Sequence, residues 1–490
     1  MSGSLKPKLL YQLAVSFLYS AAPIIVFPYI SRVLGPQNIG KINFIDYTAQ
    51  FILLFTSFGI PLYGVREVGK LRNKQEGLKQ LASELLTIHF IISLAGLLLF
   101  LTLAYLNANI YTEKKLILLA SLNIIFSSFA LDWFVQGLED FSFLSLRSAV
   151  IKVITITATF IFIRQSQDYI QYYFILTLGV LLLTVTDIYY VIKRGFKFGR
   201  KLKLIKHLKP LLIFFLTTAT VSLYTYLDTI LLGIISGSLA VGFYTTGLKV
   251  IKFSQNFVDT MGGVLLPRVA FLMESKNKTE ISRLVNKSLQ YVLTISIPMG
   301  FLFYLMAPEI VALLAGHQYA PSISVIKILS FLPLFIGLSN IFGIQILIPF
   351  GKESNALIAV AVGSLISIVL NIILCPKYAE DGAALACVVA EWVVTIMMGF
   401  LAIRQVQLFW NRKKLFYIVF NCLLFVPIIY SCRYFLSAPA SIFITSLSLC
   451  ILIFVLIQKA LFKNEVITEI IEFVRGSLRR LFIKNSMPSK

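Results

Sequence analysis

The segment LLTIHFIISLAGLLLFLTLAYL, residues 85–106, contains no Asp, Glu, Lys or Arg along its whole length. An α-helix rises about 1.5 Å per residue, so a stretch of this length crosses the roughly 30 Å hydrocarbon core of a bilayer. The rest of the chain is similar: 58% of its 490 residues are hydrophobic and only 13% are charged. A soluble domain carries about twice that share of charge. The composition excludes a soluble enzyme and predicts an integral membrane protein.

Other stretches of comparable length and hydrophobicity repeat along the chain between charged or Pro/Gly-rich breaks. They predict an all-α membrane protein with about 14 transmembrane helices. Pro333 and Pro349 predict a kink in the tenth helix. Short alternating segments typical of an outer-membrane barrel are absent from the sequence. The predicted helices are 9–31, 42–65, 81–106, 116–138, 142–163, 169–192, 210–235, 240–266, 288–307, 322–350, 355–375, 383–403, 415–431 and 438–457.

The excess of basic over acidic residues, 44 against 22, is distributed unevenly across these helices. Thirty-two basic residues fall in segments on the side of the N-terminus and seven in the opposite loops. Basic residues accumulate in cytoplasmic loops, so both termini are predicted to be cytoplasmic. The first helix lacks a convincing cleavage site and is predicted to be retained. The charge therefore reports topology, and it gives no support to a nucleic-acid partner.

The predicted topology allows two halves, because helices 1 and 7 both begin on the cytoplasmic side. Shifting residues 29–73 by 202 positions aligns five identities in 45, among them Gly35 with Gly237 and Gly40 with Gly242. Coincidence is the alternative. The predicted organisation is an N-terminal six-helix bundle at 1–200, a C-terminal six-helix bundle at 201–410, an extra helix pair at 411–458 and a cytoplasmic amphipathic tail at 459–490.

Helix 8 carries the most unusual polar pattern. Lys249, Lys252, Asn256 and Asp259 follow one another at spacings of three, four and three, which places them on one face of a helix. A charged group at mid-membrane costs several kcal/mol on insertion scales. The two lysines therefore require a water-filled cavity, an acidic partner or an anionic ligand. An internal ion pair with Asp259 or Asp228 is the structural alternative, and it does not exclude a function.

Further ionisable residues lie within or at the ends of other predicted helices. Arg32 ends helix 1, Asp46 lies in helix 2, Lys152 in helix 5, Asp228 in helix 7 and Glu391 in helix 12. Together they indicate a hydrated cavity between two bundles. The cavity contains more basic side chains than a transport pathway for cationic substrates would favour. Lysine and arginine would match phosphate oxygens there.

Acids near the cytoplasmic helix ends are a separate group. Glu84, Asp132 and Asp187 could reach the membrane interface, so an interfacial or capping role is expected for them. The segment GVREVGKL at 64–71 imitates a phosphate-binding loop, but Leu71 stands where Ser or Thr is required. The histidines are scattered and the five cysteines are expected to serve packing. The sequence therefore predicts no enzyme, no metal site and no nucleotide cofactor.

Several segments together resemble a known family. They are FPYISRVLGPQNIG at 27–40, FGIPLYGVREVGKLR at 58–72, LDWFVQGLED at 131–140, LDTILLGIISGSLAVGFYTTGLKV at 227–250, LPRVAF at 266–271, IPFGKESNA from residue 348, and PKYAEDGAALACVVAE ending at residue 391. This series resembles the Wzx-type O-antigen and polysaccharide-unit flippases of the multidrug/oligosaccharidyl-lipid/polysaccharide exporter superfamily. The resemblance runs from helix 1 through helix 12 and leaves helices 13 and 14 and the tail unmatched.

The resemblance implies a V-shaped pair of six-helix bundles with a pseudo-two-fold axis along the membrane normal. It also implies the movement of an undecaprenyl-diphosphate-linked oligosaccharide across the bacterial cytoplasmic membrane. Lys249 lies in a segment that matches the family. The assignment of Lys152 and Lys252 is based only on their position within the predicted helices. Residues on positions that match family motifs are Arg32, Asp46, Arg66, Asp132 and Arg268.

The resulting hypothesis is alternating-access flipping of this lipid-linked glycan for surface polysaccharide biosynthesis. Expected partners are the glycan, membrane lipids and other polysaccharide assembly proteins. Proton or Na⁺ coupling is expected in place of a bound cofactor. Diphosphate and cavity binding is assigned to Arg32, Lys152, Lys249, Lys252 and Asn256. Coupling or gating is assigned to Asp46, Asp228 and Asp259.

Two other functions remain open at this point. An ion-coupled exporter of cationic drugs from the same superfamily would favour an acidic cavity. A membrane polysaccharide polymerase or ligase would need a large external loop, whereas the longest one, near 307–321, has about fifteen residues.

Overall fold

A computed structural model describes residues 5–194, 202–274, 278–409, 412–469, 471–472 and 475. Within these ranges, the side chains of 5–24, 108–109, 216–225, 256–274 and 278 are outside the description. The regular elements in the described ranges are helices, and no strand occurs there. The predicted all-α fold is confirmed.

Sixteen α-helices are labelled here in chain order. The elements that connect some of them are 3₁₀ turns at Ser166–Asp168 and His317–Tyr319 and a π-helix at Ile341–Leu347. The helices are α1 Leu5–Ser57, α2 Ile60–Leu71, α3 Gln75–Leu106, α4 Ala108–Tyr111, α5 Lys114–Ser128, α6 Asp132–Gly137, α7 Phe141–Phe162, α8 Tyr169–Lys193, α9 Ile205–Glu274, α10 Lys278–Leu314, α11 Ser322–Leu329, α12 Leu332–Asn340, α13 Glu353–Ile403, α14 Arg412–Leu423, α15 Phe425–Phe435 and α16 Pro439–Ala460.

Three of the longest helices each contain one residue with non-helical backbone angles. These residues are Gly35 in α1, Gly237 in α9 and Ala379 in α13. Each divides its helix into two segments that correspond to two predicted membrane crossings. In the described part of the chain, 11 helical stretches are long and apolar enough to cross a membrane, and three of them contain such a bend. This count is consistent with the predicted fourteen crossings.

Some predicted boundaries differ from the structure. The second predicted helix, 42–65, is interrupted at Phe58 and Gly59, which have φ values of 43° and 75°. A Cβ at Gly59 would lie 2.6 Å from the backbone nitrogen of Phe215, so the close approach of α9 explains this break. The tenth predicted helix divides into α11, α12 and the π-helix, with Pro333 in the first turn of α12. That predicted kink is confirmed.

The chain forms two compact units. Unit 1 comprises Met1–Thr246, Leu314–Tyr319 and Ser364–Ala386, and unit 2 comprises Gly247–Leu313, Ala320–Gly363 and Cys387–Lys490. The predicted division into bundles at residue 200 stays a prediction. One core of unit 1 contains Val68, Leu85, Leu131 and Phe134, all fully buried. By contrast, Leu98 of α3 is 62% exposed, as expected of a side chain that faces lipid.

Candidate functional site

Asp228 lies in a buried polar cluster of unit 1. It is 1% exposed, and its Oδ1 atom accepts hydrogen bonds from the Ser367 hydroxyl and from Asn371 Nδ2 at 2.8 Å. Asn371 Oδ1 in turn accepts from Cys375 Sγ at 3.2 Å. The sequence singled out Asp228 but missed its partners. Their spacing of four residues along α13 was the available signal, since it places them on one helix face.

Asp46, the second acid assigned to coupling, lies in a different polar chain of unit 1. Tyr173 donates its hydroxyl to Asp46 Oδ1 at 3.1 Å, and Asn123 Nδ2 lies 3.4 Å from the same hydroxyl oxygen. This chain connects α1 through α8 to α5. The third acid, Asp259, has its side chain outside the described part, so its assignment stays a prediction.

The bends in α1 and α9 have the same backbone conformation. Gly35 has φ 73° and ψ 169°, and Gly237, 202 residues later, has φ 83° and ψ 178°. L-residues rarely adopt a positive φ, so glycine suits both positions. The alignment at this offset therefore relates two structurally equivalent bends.

The helical segments that follow these two bends contact each other within unit 1, and each segment contributes a glycine that packs against the backbone of the other. A Cβ at Gly40 would lie 1.7 Å from the carbonyl oxygen of Ser238, and a Cβ at Gly242 would lie 2.1 Å from that of Pro36. The same offset of 202 relates Pro36 to Ser238 and Gly40 to Gly242. Each contact is thus the symmetry counterpart of the other, as at a two-fold interface. We call this the glycine contact.

A hydrogen bond lies beside the glycine contact. Asn43 Nδ2 donates to Thr245 Oγ1 at 2.7 Å, and these two residues are also 202 positions apart. A contact between symmetry-equivalent positions lies on the pseudo-two-fold axis itself. Both side chains are buried. The glycine contact is therefore a close backbone packing reinforced by a buried polar pair.

The cations predicted to bind diphosphate are distributed over both units. Arg32 is an exposed residue of unit 1 that donates to the carbonyl oxygen of Pro28 at 2.9 Å. Lys152 is half-buried on α7 of the same unit. Lys249 and Lys252 are half-buried neighbours on α9 in unit 2, and the side chain of Asn256 is outside the described part. Their joint role in one site stays a prediction.

Two of the acids near the predicted cytoplasmic helix ends share a buried cation. Arg147, only 7% exposed, pairs through its two terminal nitrogens with Asp187 and Asp132. Asp187 Oδ2 also accepts a hydrogen bond from the backbone of Leu131 at 3.2 Å. This cluster joins α6, α7 and α8. The sequence did not indicate Arg147, because its main partner lies 40 residues away.

The third of these acids, Glu84, holds the beginning of α9 against α3. Its Oε2 atom lies 2.8 Å from both His207 Nε2 and Lys206 Nζ. Its Oε1 atom accepts from the backbone of Lys203 at 2.8 Å, and Tyr63 lies 2.7 Å from the other ring nitrogen of His207. These contacts give Glu84 and His207 a structural role in unit 1.

The tail predicted at 459–490 contains a helical turn at 465–469 that contacts α10 through Glu469. Lys287 Nζ lies 2.8 Å from Glu469 Oε1, and the Tyr291 hydroxyl donates to Glu469 Oε2. Hydrogen bonds from Lys287 and Tyr291 lower the pKa of the Glu469 carboxyl. Of the predicted amphipathic face, Ile470, Val474, Leu478 and Leu481 lie outside the described residues.

This lowered pKa predicts that tail docking depends on pH. The contribution of Glu469 is fully present above the pKa of a free carboxyl, and it is lost as the pH falls through the lowered pKa of the docked state. The protein is incubated at values between pH 7 and pH 3, its conformation is trapped by chemical cross-linking, and it is then digested by limited proteolysis at neutral pH. Cleavage within the tail should increase after incubation at acid pH, because the tail is released there. Glu469→Gln should weaken docking already at pH 7, whereas Glu472→Gln, an exposed neighbour, should behave like wild type. Equal effects of the two variants would contradict the assignment.

A family model described as polysaccharide biosynthesis protein matches residues 6–273, more than half of the chain. The chain belongs to the polysaccharide biosynthesis protein family. It is also 26% identical over 403 residues to a putative O-antigen transporter of Escherichia coli strain K12, covering 81% of this chain and 96% of the relative. A putative O-antigen transporter of Shigella dysenteriae is 23% identical and is covered over 94% of its length.

Solved structures show that this member of the family has a known fold. The lipid II flippase MurJ in an inward closed conformation aligns with a TM-score of 0.76 at 18% identity, covering 93% of this chain and 99% of MurJ. An inward-facing multidrug resistance MATE transporter aligns with a TM-score of 0.61 at 12% identity, covering 80% and 97%. The resemblance identified from the sequence motifs is confirmed.

Proposed function

We propose that this multi-pass membrane protein flips a polyprenyl-diphosphate-linked oligosaccharide across the bacterial cytoplasmic membrane by alternating access. The undecaprenyl carrier and a role in surface polysaccharide assembly are part of the proposal. The observation that carries it is the family membership together with the near full-length similarity to a putative O-antigen transporter. The proposed orientation places both termini in the cytoplasm, in agreement with the distribution of basic residues.

The chemistry of the proposed substrate agrees with the cations of helix α9. Lys249 and Lys252 lie three residues apart in a helical stretch apolar enough to cross a membrane, where a charge is costly. A diphosphate carries the opposite charge and offers several oxygen acceptors. We assign Lys249, Lys252 and Asn256 to the diphosphate, with Arg32 and Lys152 as further cationic groups. In this proposal the protein moves its substrate without a chemical step and is not an enzyme.

A whole-cell experiment tests this assignment. In a strain lacking the protein, Lys249→Ala/Lys252→Ala is expected to reduce surface polysaccharide by at least tenfold, because two charges that face the diphosphate are removed. Lys249→Arg/Lys252→Arg is the matched control and should retain most of the polysaccharide, since arginine keeps both charges. Full polysaccharide with the alanine variant would remove these lysines from the mechanism. Protection against cationic dyes without polysaccharide export would favour the drug-exporter alternative.

We further propose that Asp228 couples transport to a proton or a Na⁺ ion. The Asp228 carboxylate and the Ser367 hydroxyl bring oxygen atoms together, and oxygen ligands suit a hard cation. Protonation of the buried carboxylate is the other way to neutralise its charge. Asp46 and Asp259 are the remaining coupling candidates. The Ser367 hydroxyl and the Asn371 amide both hydrogen-bond to the buried Asp228 carboxylate, and they support Asp228 as the first candidate.

This assignment predicts different results for two similar substitutions. Asp228→Asn should abolish the response of transport to an imposed pH or Na⁺ gradient, while Asp46→Asn should leave that response in place. The amide is close in size to the carboxylate, so the loss should reflect charge and not packing. The measurement is initial transport rate in vesicles with each gradient in turn. A normal gradient response of Asp228→Asn, or its loss in Asp46→Asn alone, would contradict the coupling role of Asp228.

A further inference from the structure

A small recess lies between α10 and the beginning of α14 in unit 2. Its volume is about 50 Å³. A single water molecule requires about 10–15 Å³ by this kind of measure, so the recess accepts a few methylene groups and not a whole lipid tail. The side chains of four aliphatic residues form much of its wall: Leu289, Leu293, Leu415 and Ile418.

Two cations line the same recess. Arg412 is exposed and Lys414 is half-buried. Both belong to the first turn of α14, where the apolar stretch Arg412–Phe435 begins. Basic residues at this position lie at the level of lipid headgroups, with the aliphatic wall continuing toward the hydrocarbon. The recess therefore has a cationic surface next to an apolar one. A phospholipid has its charged phosphate next to its apolar chains at the same depth of the membrane.

The charge around the recess is only partly compensated. Lys414 Nζ lies 3.6 Å from Glu465, whose side chain is 76% exposed, so solvent weakens this pair. Arg412 has no ion-pair partner within the described ranges. Lys287 is already paired with Glu469. The net charge at the recess is positive, which favours a lipid with an anionic headgroup over a zwitterionic one that carries its own ammonium group.

We infer that the recess binds one anionic glycerophospholipid of the surrounding membrane. The lipid phosphate would contact Arg412 and Lys414, and its first methylene groups would enter the space beside Leu293 and Leu415. The site lies in the part of the chain beyond the matched family segment, residues 6–273. It would attach α10 and α14 to the leaflet independently of which molecule the protein transports.

Native mass spectrometry of the full-length protein in detergent tests this inference. We expect preferential retention of phosphatidylglycerol over phosphatidylcholine at equal concentrations. Arg412→Gln should reduce phosphatidylglycerol retention about fivefold, the effect of roughly 1 kcal/mol per basic residue near a membrane surface. Lys413→Gln is the matched control: it removes the same charge from an exposed neighbour that does not line the recess, and retention should not change.

A second variant tests the apolar part. Gln290→Trp fills the recess while it leaves every charge in place, and it should also lower phosphatidylglycerol retention. Equal retention of the two phospholipids would overturn the inference, as would equal losses in Arg412→Gln and Lys413→Gln. Displacement of phosphatidylglycerol by equimolar undecaprenyl phosphate would assign the recess to the transported lipid instead. None of these measurements depends on transport, so they are independent of the proposed function.

Discussion

Gly40→Ala is expected to shift the protein away from the conformation described here and to impair transport. The added Cβ would lie 1.7 Å from the Ser238 carbonyl oxygen, and a backbone atom cannot move aside as a flexible side chain can. Overpacking of this kind costs about 1–3 kcal/mol. Such a bias changes the ratio of two conformations by roughly 5- to 150-fold. The helix segments after the Gly35 and Gly237 bends would have to separate.

Distance measurements between spin labels on exposed Gln37 and Leu239, one on each of these segments, would detect this separation. Gly242→Ala should have the same effect, because its Cβ would lie 2.1 Å from the Pro36 carbonyl oxygen in the symmetry-related contact. Gly69→Ala is the matched control, since its Cβ would have no neighbour within 4 Å. Unchanged label distances in both contact variants would show that the glycine contact does not determine the conformation.

Arg147→Met is expected to cause a large loss of stability. The substitution leaves the buried carboxylate of Asp187, which is 0% exposed, without its cationic partner. Removing one member of a buried ion pair typically costs about 3–5 kcal/mol, because an uncompensated charge remains. Thermal unfolding in detergent should therefore show a marked decrease in Tm. An unchanged Tm would contradict the structural role of the Arg147 cluster.

The chain offers a matched control for this effect. Arg72 pairs with Glu139 at 2.6 Å, but the two side chains are 46% and 63% exposed. Arg72→Met should cost no more than about 1 kcal/mol, as is usual for surface pairs. The combination Arg147→Met/Asp187→Asn should recover part of the stability lost in Arg147→Met, because it removes the buried negative charge. A double variant less stable than Arg147→Met would indicate that Asp187 has another essential contact.

Much of the fold was predictable because lipid imposes strong constraints on sequence. A charge-free run such as 85–106 has few structural alternatives, and α3 includes it as expected. The alignment of Gly35 with Gly237 at an offset of 202 residues was the sequence signal for the bend at Gly35. The interruption at Phe58 and Gly59 was not predictable, because apolar residues continue on both sides and the cause is the approach of α9. Long-range packing determines such a break.

The same distinction applies to the candidate site. Asp228 was identifiable because a carboxylate is costly in an apolar helix. Its partners Ser367 and Asn371 were missed, since neutral polar residues are tolerated in membrane helices and nothing local shows which helix they face. Arg147 was missed for the same reason, with Asp187 a distant neighbour in sequence. The role assigned to Lys249 and Lys252 is based on their helical spacing and on the chemistry of a diphosphate. A transport assay is the direct test of this role.

The central claim is best tested with purified protein in vesicles that contain a fluorescent polyprenyl-diphosphate sugar. A membrane-impermeant quencher reports the fraction of probe in the outer leaflet. Flipping predicts that wild-type protein brings nearly all of the probe within reach of the quencher, whereas protein-free vesicles remain near one half. Lys249→Ala/Lys252→Ala should remain close to the protein-free level. Wild-type vesicles that also remain near one half, under proton and Na⁺ gradients alike, would contradict the proposed function.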